Sequence, residues 1–167
     1  MKASGLEKRI IIVSGRRNGR ASWEFLMEEV GREKVDFFAF PSAFLYAIRH
    51  SEGYSLVFLE ASVDTEVKGN GKKRKVKLVC PEIEYVKQTR LRKYNPLNAN
   101  IPICVVGHKM YRDSFLKAGA SKYICTSGDT WVFWQKDIRE ILAKYGVSFK
   151  KKVRRKVGLA NRSESLI

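Results

Sequence analysis

The sequence has no long apolar run. No stretch approaches the ~20 consecutive apolar residues that a membrane-spanning helix needs. The apolar run nearest the start, IIIV at residues 10–13, is also too short for the hydrophobic region of a secretory signal peptide. We therefore expect a cytoplasmic protein that does not act in a membrane.

Cysteine and histidine are scarce, with three and two residues in the chain of 167. Cys80, Cys104 and Cys125 show no Cys-x-x-Cys spacing, and His50 and His108 do not complete a zinc-type pattern with them. No metal site and no cofactor is expected. Buried free thiols in a reducing compartment are the simplest interpretation.

Acidic residues are few, 17 against 33 basic ones, and give a net charge of +16. The imbalance is local. Residues 1–65 carry 9 residues of each sign, whereas residues 66–100 carry 10 basic and 3 acidic residues and residues 147–167 carry 7 and 1. Such blocks indicate an anionic partner, although a block of like charge is often only a solvated tail.

Hydrophobic residues make up 44% of the chain, which suffices for one ordinary domain core. Apolar runs at 9–13, 35–40, 55–59, 101–106 and 122–125 predict buried strands. Segments of helical periodicity at 23–30, 43–50, 81–95, 110–116 and 131–145 lie between or after them. This alternation predicts an α/β fold, a doubly wound five-stranded parallel sheet with helices on both faces.

One segment interrupts the alternation. Gly69, Asn70 and Gly71 lie between two runs of alternating Val and Lys, a pattern typical of a β-hairpin. We interpret residues 8–146 as one domain with a basic hairpin inserted at 66–80. Residues 147–167 form a basic C-terminal tail (the basic tail) without convincing periodicity.

The run GASKYICTS at residues 119–127 is the most informative motif. A helix that ends in Gly-Ala, followed by a short strand with a central tyrosine, resembles the end of the receiver domain of bacterial two-component response regulators. The resemblance covers residues 8–146 apart from the hairpin. It implies a flavodoxin-like, CheY-like fold and a signalling role, and it makes Tyr123 the counterpart of the family's switching aromatic.

The resemblance also implies where phosphate chemistry would lie, and this chain departs from the family there. The acidic pair that holds Mg²⁺ after the first strand is replaced by Ser14 and Gly15. Glu60 stands at the phosphoacceptor aspartate, Gly107 at the hydroxyl residue and Thr126 at the lysine. We therefore expect a pseudo-receiver that is not phosphorylated, without catalytic residues and without enzymatic activity.

Glu60 allows two interpretations at this stage. It is either a permanent negative charge that mimics phosphorylation, paired with Arg16 or Arg17, or a tolerated carboxylate at a strand end. Arg16, Arg17 and Arg20 also lie in a Gly-rich loop between strand and helix, where anions often bind. The loop does not match a P-loop because its Gly spacing is short and its lysine is missing, so a solvated loop is the alternative.

Two further basic clusters are candidate anion-binding residues. The hairpin cluster contains Lys68, Lys72, Lys73, Arg74, Lys75 and Lys77, and the tail cluster contains Lys150, Lys151, Lys152, Arg154, Arg155 and Lys156. Strand alternation places Lys73, Lys75 and Lys77 on one face. Such a row favours salt-sensitive contact with phosphates rather than base recognition.

Trp131 and Trp134 open the last helix with more aromatic surface than one buried stripe requires. Exposed aromatics are natural anchors of protein interfaces. The favoured hypothesis is a regulatory module that binds a protein partner, or a second copy, through the last-helix face. The alternative is a nucleic-acid-binding accessory protein that uses the hairpin and the basic tail.

Overall fold

The computed structural model describes residues 9–15, 19–50, 53–62, 64–69, 71, 75–91, 96, 98–126 and 132–150; for residues 64–66, 76, 78 and 132–134 it describes the backbone. The strands are β1 (Arg9–Val13), β2 (Val35–Phe38), β3 (Tyr54–Glu60), β4 (Asp64–Lys68), β5 (Lys75–Val79), β6 (Ile103–Gly107) and β7 (Lys122–Cys125). The α-helices are α1 (Gly19–Val30), α2 (Pro41–His50), α3 (Glu82–Thr89), α4 (Arg112–Ala118) and α5 (Val132–Lys144).

Five of the strands form one sheet in the order β2-β1-β3-β6-β7, and all neighbouring strands are parallel. Strands β4 and β5 form a separate antiparallel pair, here called the ribbon. Without the ribbon, the strand order is that of the flavodoxin-like doubly wound fold. The predicted fold class is confirmed, including the inserted hairpin.

The core lies on both faces of the sheet because the central strands carry consecutive apolar residues, such as Ile10–Val13 in β1 and Leu56–Leu59 in β3. In β1, Ile10 and Ile12 point into a cluster with side chains of α1 and α5. Ile11 and Val13 point into a second cluster with side chains of α2, α3 and α4. All four side chains are fully buried, so β1 fixes the centre of the molecule.

Helix α3 is shorter than the predicted segment 81–95 and ends at Thr89. The next residue, Arg90, turns its guanidinium towards three backbone carbonyls. It donates to the oxygens of Gly119 at 2.9 Å, Ala99 at 3.0 Å and Ile101 at 2.6 Å. These bonds tie the end of α3 to the segment before β6 and to the turn after α4.

The amino edge of the sheet, where the strands begin, carries a polar cluster. Asp36 accepts two hydrogen bonds of 2.6 Å from Arg9 and one from the hydroxyl of Tyr54. Burial and the hydrogen bond to Asp36 raise the pKa of Tyr54 to about 12. The cluster joins β1, β2 and β3 at the edge opposite to the candidate site.

The chain remains packed for several residues after α5. Val147 is buried, and the backbone N–H of Lys150 donates to the carbonyl of Glu29 at 2.7 Å. The Lys150 ammonium lies 3.4 Å from Glu33, just before β2. Residues 147 and 150 therefore still contact the domain. The predicted boundary between a domain at 8–146 and a tail at 147–167 stays a prediction. No helix in the described ranges is long and apolar enough to cross a bilayer.

Candidate functional site

Glu60 ends β3 and is buried at the carboxyl edge of the sheet, where the parallel strands end. Only 6% of the residue is exposed. Its Oε2 accepts a hydrogen bond of 2.5 Å from the Ser14 hydroxyl and one of 3.2 Å from the Trp23 indole N–H. A buried carboxylate is costly unless hydrogen bonds compensate it, and these two donors supply that compensation from the end of β1 and from α1.

Ser14 is held in place by its neighbours. Its backbone N–H donates to the carbonyl of Phe38 at 3.0 Å, and its side chain is almost fully buried. A Cβ atom at Gly19 would lie 2.0 Å from the Ser14 hydroxyl oxygen. Glycine at the start of α1 therefore lets the helix lie against this hydroxyl. A larger residue there would displace the Ser14 hydroxyl from its hydrogen bond with Glu60.

Gly107 and Tyr123 lie next to Ala61 at the same edge. A Cβ atom at Gly107 would lie 2.6 Å from the Tyr123 hydroxyl and 2.8 Å from the Cβ of Ala61. The Tyr123 hydroxyl donates to the carbonyl of His108 at 2.7 Å, and the ring packs 5.7 Å from that of Phe115. Tyr123 is 8% exposed, and its burial raises the pKa of the phenol.

Thr126, at the position of the family's lysine, is half-buried, and its backbone N–H donates to the Gly107 carbonyl at 2.8 Å. Gly15 is exposed. A Cβ atom at Gly15 would lie 3.5 Å from the carbonyl oxygen of Ala39, in the turn between β2 and α2, which is an ordinary contact distance. Across the described ranges, no group of three His, Cys, Asp or Glu side chains gathers as a metal site would require.

A second buried carboxylate lies close to the base of the ribbon. Glu82, at the start of α3, is 2% exposed. Its Oε1 accepts from the hydroxyl of Ser62 and from the Ser62 backbone N–H at 3.2 Å, and its Oε2 accepts from the Cys80 thiol at 3.2 Å. Ser62 precedes β4 and Cys80 follows β5, so Glu82 joins the two ends of the insertion. We call Ser62, Cys80 and Glu82 the neck.

The ribbon presents lysines on one face. In its register Lys68 pairs with Lys75, and Glu66 pairs with Lys77. Because paired residues share a face and side chains alternate along a strand, Lys68, Lys75 and Lys77 lie on the same face. All three lysines are exposed. The remaining hairpin candidates, Lys72, Lys73 and Arg74, lie outside the described residues.

Arg20 is the one described member of the predicted Arg loop. Its guanidinium lies 5.9 Å from the centre of the Phe37 ring. It borders a shallow cleft of about 240 Å³ beside the edge strand β2, lined by Arg20, Met27, Arg32, Val35, Asp36, Phe37 and Phe38. Arg16 and Arg17 lie outside the described residues, so their predicted pairing with Glu60 stays a prediction.

The ribbon and the basic tail start from opposite edges of the sheet. The ribbon follows the carboxyl end of β3, whereas Lys150 lies beside Glu29 and Glu33 at the amino edge. A strand of five residues is ~17 Å long, so the two basic elements do not begin on a common surface. The other tail candidates, Lys151, Lys152, Arg154, Arg155 and Lys156, lie outside the described residues.

The predicted interface aromatics are not placed by the structure. Trp131 lies outside the described residues, and Trp134 belongs to α5 without a described side chain. Three residues that the sequence interpretation did not select take part in the geometry: Gly19, Trp23 and Glu82. Trp23 and Gly19 had been read only as helix and loop residues, and nothing in the local sequence marks Glu82 as buried.

No protein-family model matches the sequence, and no curated protein matches it. Solved structures do resemble the fold. The CheY-like response regulator receiver domain protein from Methanospirillum hungatei JF-1 aligns over 83% of this chain and 96% of its own, at 18% identity and a TM-score of 0.53. The phosphorylated cyanobacterial phytochrome response regulator RcpA aligns over 87% and 99%, at 14% identity and a TM-score of 0.55.

The chemotaxis response regulator CheY4 of Vibrio cholerae aligns over 81% of this chain and 98% of its own, at 11% identity and a TM-score of 0.52. These identities are low, so the comparisons establish the fold and not the chemistry. The five-stranded sheet with its flanking helices is the CheY-like receiver fold.

Proposed function

We propose that this chain is a regulatory signalling module with a receiver fold that works without phosphorylation. The observation that carries the proposal is the state of Glu60. At the position that corresponds to the phosphoacceptor, the carboxylate is 6% exposed and accepts hydrogen bonds from Ser14 and Trp23. A phosphoryl donor would have to break these bonds to reach it.

The surroundings of Glu60 support the same proposal. In the family that the fold resembles, acidic residues after the first strand would hold Mg²⁺, and Ser14 instead donates its hydroxyl to Glu60. Tyr123 is buried against Gly107, where a larger residue would collide with its hydroxyl. Both features favour one fixed conformation over a phosphorylation-driven switch.

The test is incubation of the full chain with phosphoramidate and Mg²⁺, followed by intact mass measurement beside a phosphorylatable receiver. We expect no added phosphoryl group on this chain under conditions that modify the reference receiver. A phosphoryl adduct that disappears in Glu60→Gln would overturn the proposal.

We further propose that the module acts by binding a protein, either a partner or a second copy, through the face formed by α4, β7 and α5. Leu116 on α4 is 37% exposed, and Met110, which precedes α4, is 56% exposed. The proposed anchors are Trp131, which directly precedes α5 in the sequence, and Trp134 of α5. A cytoplasmic location remains a prediction from the sequence.

Sedimentation over a range of concentrations tests the homodimer form of this proposal. We expect Trp131→Ala and Trp134→Ala to weaken self-association without changing the circular dichroism spectrum. Tyr46→Ala is the matched control, because Tyr46 is an aromatic residue that is 69% exposed on α2. Equal weakening by the control, or a wild-type chain that stays monomeric, would contradict the homodimer form.

A further inference from the structure

The ribbon has an excess of basic residues that the proposed signalling role does not use. Residues 64–79 contain six basic and two acidic residues. The ribbon is not part of the central sheet, and its strands hydrogen-bond to each other. We propose that its lysine face is a binding surface for the phosphate backbone of double-stranded nucleic acid. This inference goes beyond the proposed function and does not depend on it.

The spacing of the lysines suits a repeating polyanion. Lys75 and Lys77 are two residues apart on one strand, which places them ~7 Å apart along the ribbon. Lys68 lies opposite Lys75, so the face has positive charge on both strands. Asp64 and Glu66 share this face as the register partners of Val79 and Lys77, so the two strands contribute three basic and two acidic positions to it. The pair of lysines that face each other, Lys68 and Lys75, lies at the end away from the neck. A two-stranded ribbon also fits the width of a duplex groove.

The composition of the ribbon favours a duplex over other anionic partners. Single-strand binding usually depends on aromatic side chains that stack on bases, and residues 64–79 contain no aromatic residue. Interfacial membrane binding usually requires bulky apolar or aromatic anchors, and the ribbon offers little more than valines, such as Val67 at 54% exposure, and one leucine. Contacts to a phosphate backbone require only the lysines.

The neck ties the base of the ribbon to the start of α3. Glu82 accepts hydrogen bonds from residues on both sides of the ribbon, and it is almost completely buried. Preorganisation of a binding element reduces the entropy lost when it binds. The ribbon is therefore anchored at its base, whereas its lysines face solvent.

The basic tail is a separate source of positive charge. Because Lys150 contacts Glu29 and Glu33 at the amino edge, the tail begins away from the ribbon, and we expect the ribbon face to bind without assistance from the tail. The tail must nevertheless be controlled for, since it also attracts polyanions. A full-length background in which Lys151, Lys152, Arg154, Arg155 and Lys156 are changed to Ser provides this control.

The experiment measures binding of a fluorescent 20-base-pair duplex by anisotropy across a salt series. The test variant is Lys75→Ala with Lys77→Ala. The matched control is Lys117→Ala with Lys122→Ala, which removes the same charge from exposed positions of α4 and β7. Both pairs are measured in the natural chain and in the tail-neutralised background.

Each lost phosphate contact should reduce the slope of log affinity against log salt by about 0.9, so the test pair should reduce it by about 1.8. Between 50 and 200 mM salt, the factor by which the affinity falls should therefore be about 12 times smaller for the test pair than for the wild type. The control pair should leave the slope near that of the wild type, in both backgrounds.

Several results would overturn the proposal. One is equal flattening by the test and control pairs, which would indicate diffuse attraction by net charge. A second is an effect of the test pair that vanishes in the tail-neutralised background. A third is tighter binding of single-stranded DNA of the same length than of the duplex. A fourth is binding to vesicles that contain phosphatidylserine that depends on the ribbon lysines, without such binding to the duplex. Absence of duplex binding near physiological salt would also overturn it, without bearing on the phosphoramidate test.

Discussion

The extra methylene group of Glu60 and the hydroxyl group of Ser14 allow a carboxylate to be buried at the end of β3. Glutamate reaches further than aspartate, and Glu60 uses that reach to accept from Ser14 and Trp23 inside the protein. With an acidic residue at position 14, two carboxylates would repel each other there unless a cation lay between them. Serine removes that repulsion and supplies a donor, so the carboxylate is stable in a buried position.

At the residue scale, the contact between Gly107 and Tyr123 gives a prediction. Gly107→Ala should destabilise the fold by about 1–3 kcal/mol, because its Cβ would lie 2.6 Å from the Tyr123 hydroxyl and 2.8 Å from Ala61. Tyr123→Phe removes the hydroxyl and its bond to His108. In the double variant we expect the cost of Gly107→Ala to be smaller than in the wild type.

Urea denaturation of the wild type, both single variants and the double variant measures this coupling as a double-mutant cycle. Residues in contact commonly show coupling of about 0.5–3 kcal/mol. Strictly additive effects would show that the Tyr123 hydroxyl does not limit the space at Gly107. In that case the steric account of the buried tyrosine would be wrong.

At the scale of elements, the neck determines how the ribbon is attached. Glu82→Ala removes the observed acceptor of the half-buried Ser62 hydroxyl and of the buried Cys80 thiol. We expect faster hydrogen exchange in β4 and β5, and a loss of about 1–3 kcal/mol of stability. Hydrogen exchange followed by mass spectrometry resolves the ribbon peptides from those of the central sheet.

Two variants separate the neck from general effects on α3. Glu82→Gln keeps an amide oxygen that can accept from Ser62, so it should retain much of the protection of the ribbon. Glu84→Ala removes an exposed carboxylate from the same helix, whose ion pair with Lys87 is long at 4.0 Å, and should change little. Equal loss of protection in Glu82→Ala and Glu84→Ala would refute the role assigned to the neck.

For the whole molecule, weak acids whose pKa is raised in the folded state predict that stability falls at alkaline pH, and Cys104 and Tyr54 are two of them. Burial raises the pKa of Cys104 from 9.0 to about 12, and burial with the hydrogen bond to Asp36 raises the pKa of Tyr54 from 10.0 to about 12. The folded state holds these protons more tightly than the unfolded state does. Stability should therefore be complete below pH 9 and decrease towards pH 12.

Urea midpoints measured at intervals across this range test the prediction. Cys104→Ala removes one of these titrations, so the decrease in stability above pH 9 should be shallower than in the wild type. The variant should also start from a lower stability, because it leaves a small cavity. Parallel decreases in the two proteins would show that Cys104 does not contribute to the pH dependence.

The sequence by itself determined the order and type of the elements. Consecutive apolar residues such as those at 10–13 and 103–106 indicate burial on both faces of a sheet, and the Gly69–Gly71 pattern predicts the hairpin. Both are local properties of the chain. The site was less predictable: Glu60, Gly107 and Tyr123 were selected through a family resemblance, not through any physical property of their own segments.

Only the tertiary structure decided which side chains meet. The hydrogen bonds that Glu60 accepts come from residues 46 and 37 positions away, and the bonds of Glu82 cross the whole inserted ribbon. It also placed Lys150, the one described member of the tail cluster, at the sheet edge opposite to the start of the ribbon, whereas charge alone groups the two basic elements. Contacts between distant segments follow from strand order and helix packing, and periodicity, which describes one segment at a time, does not contain that information.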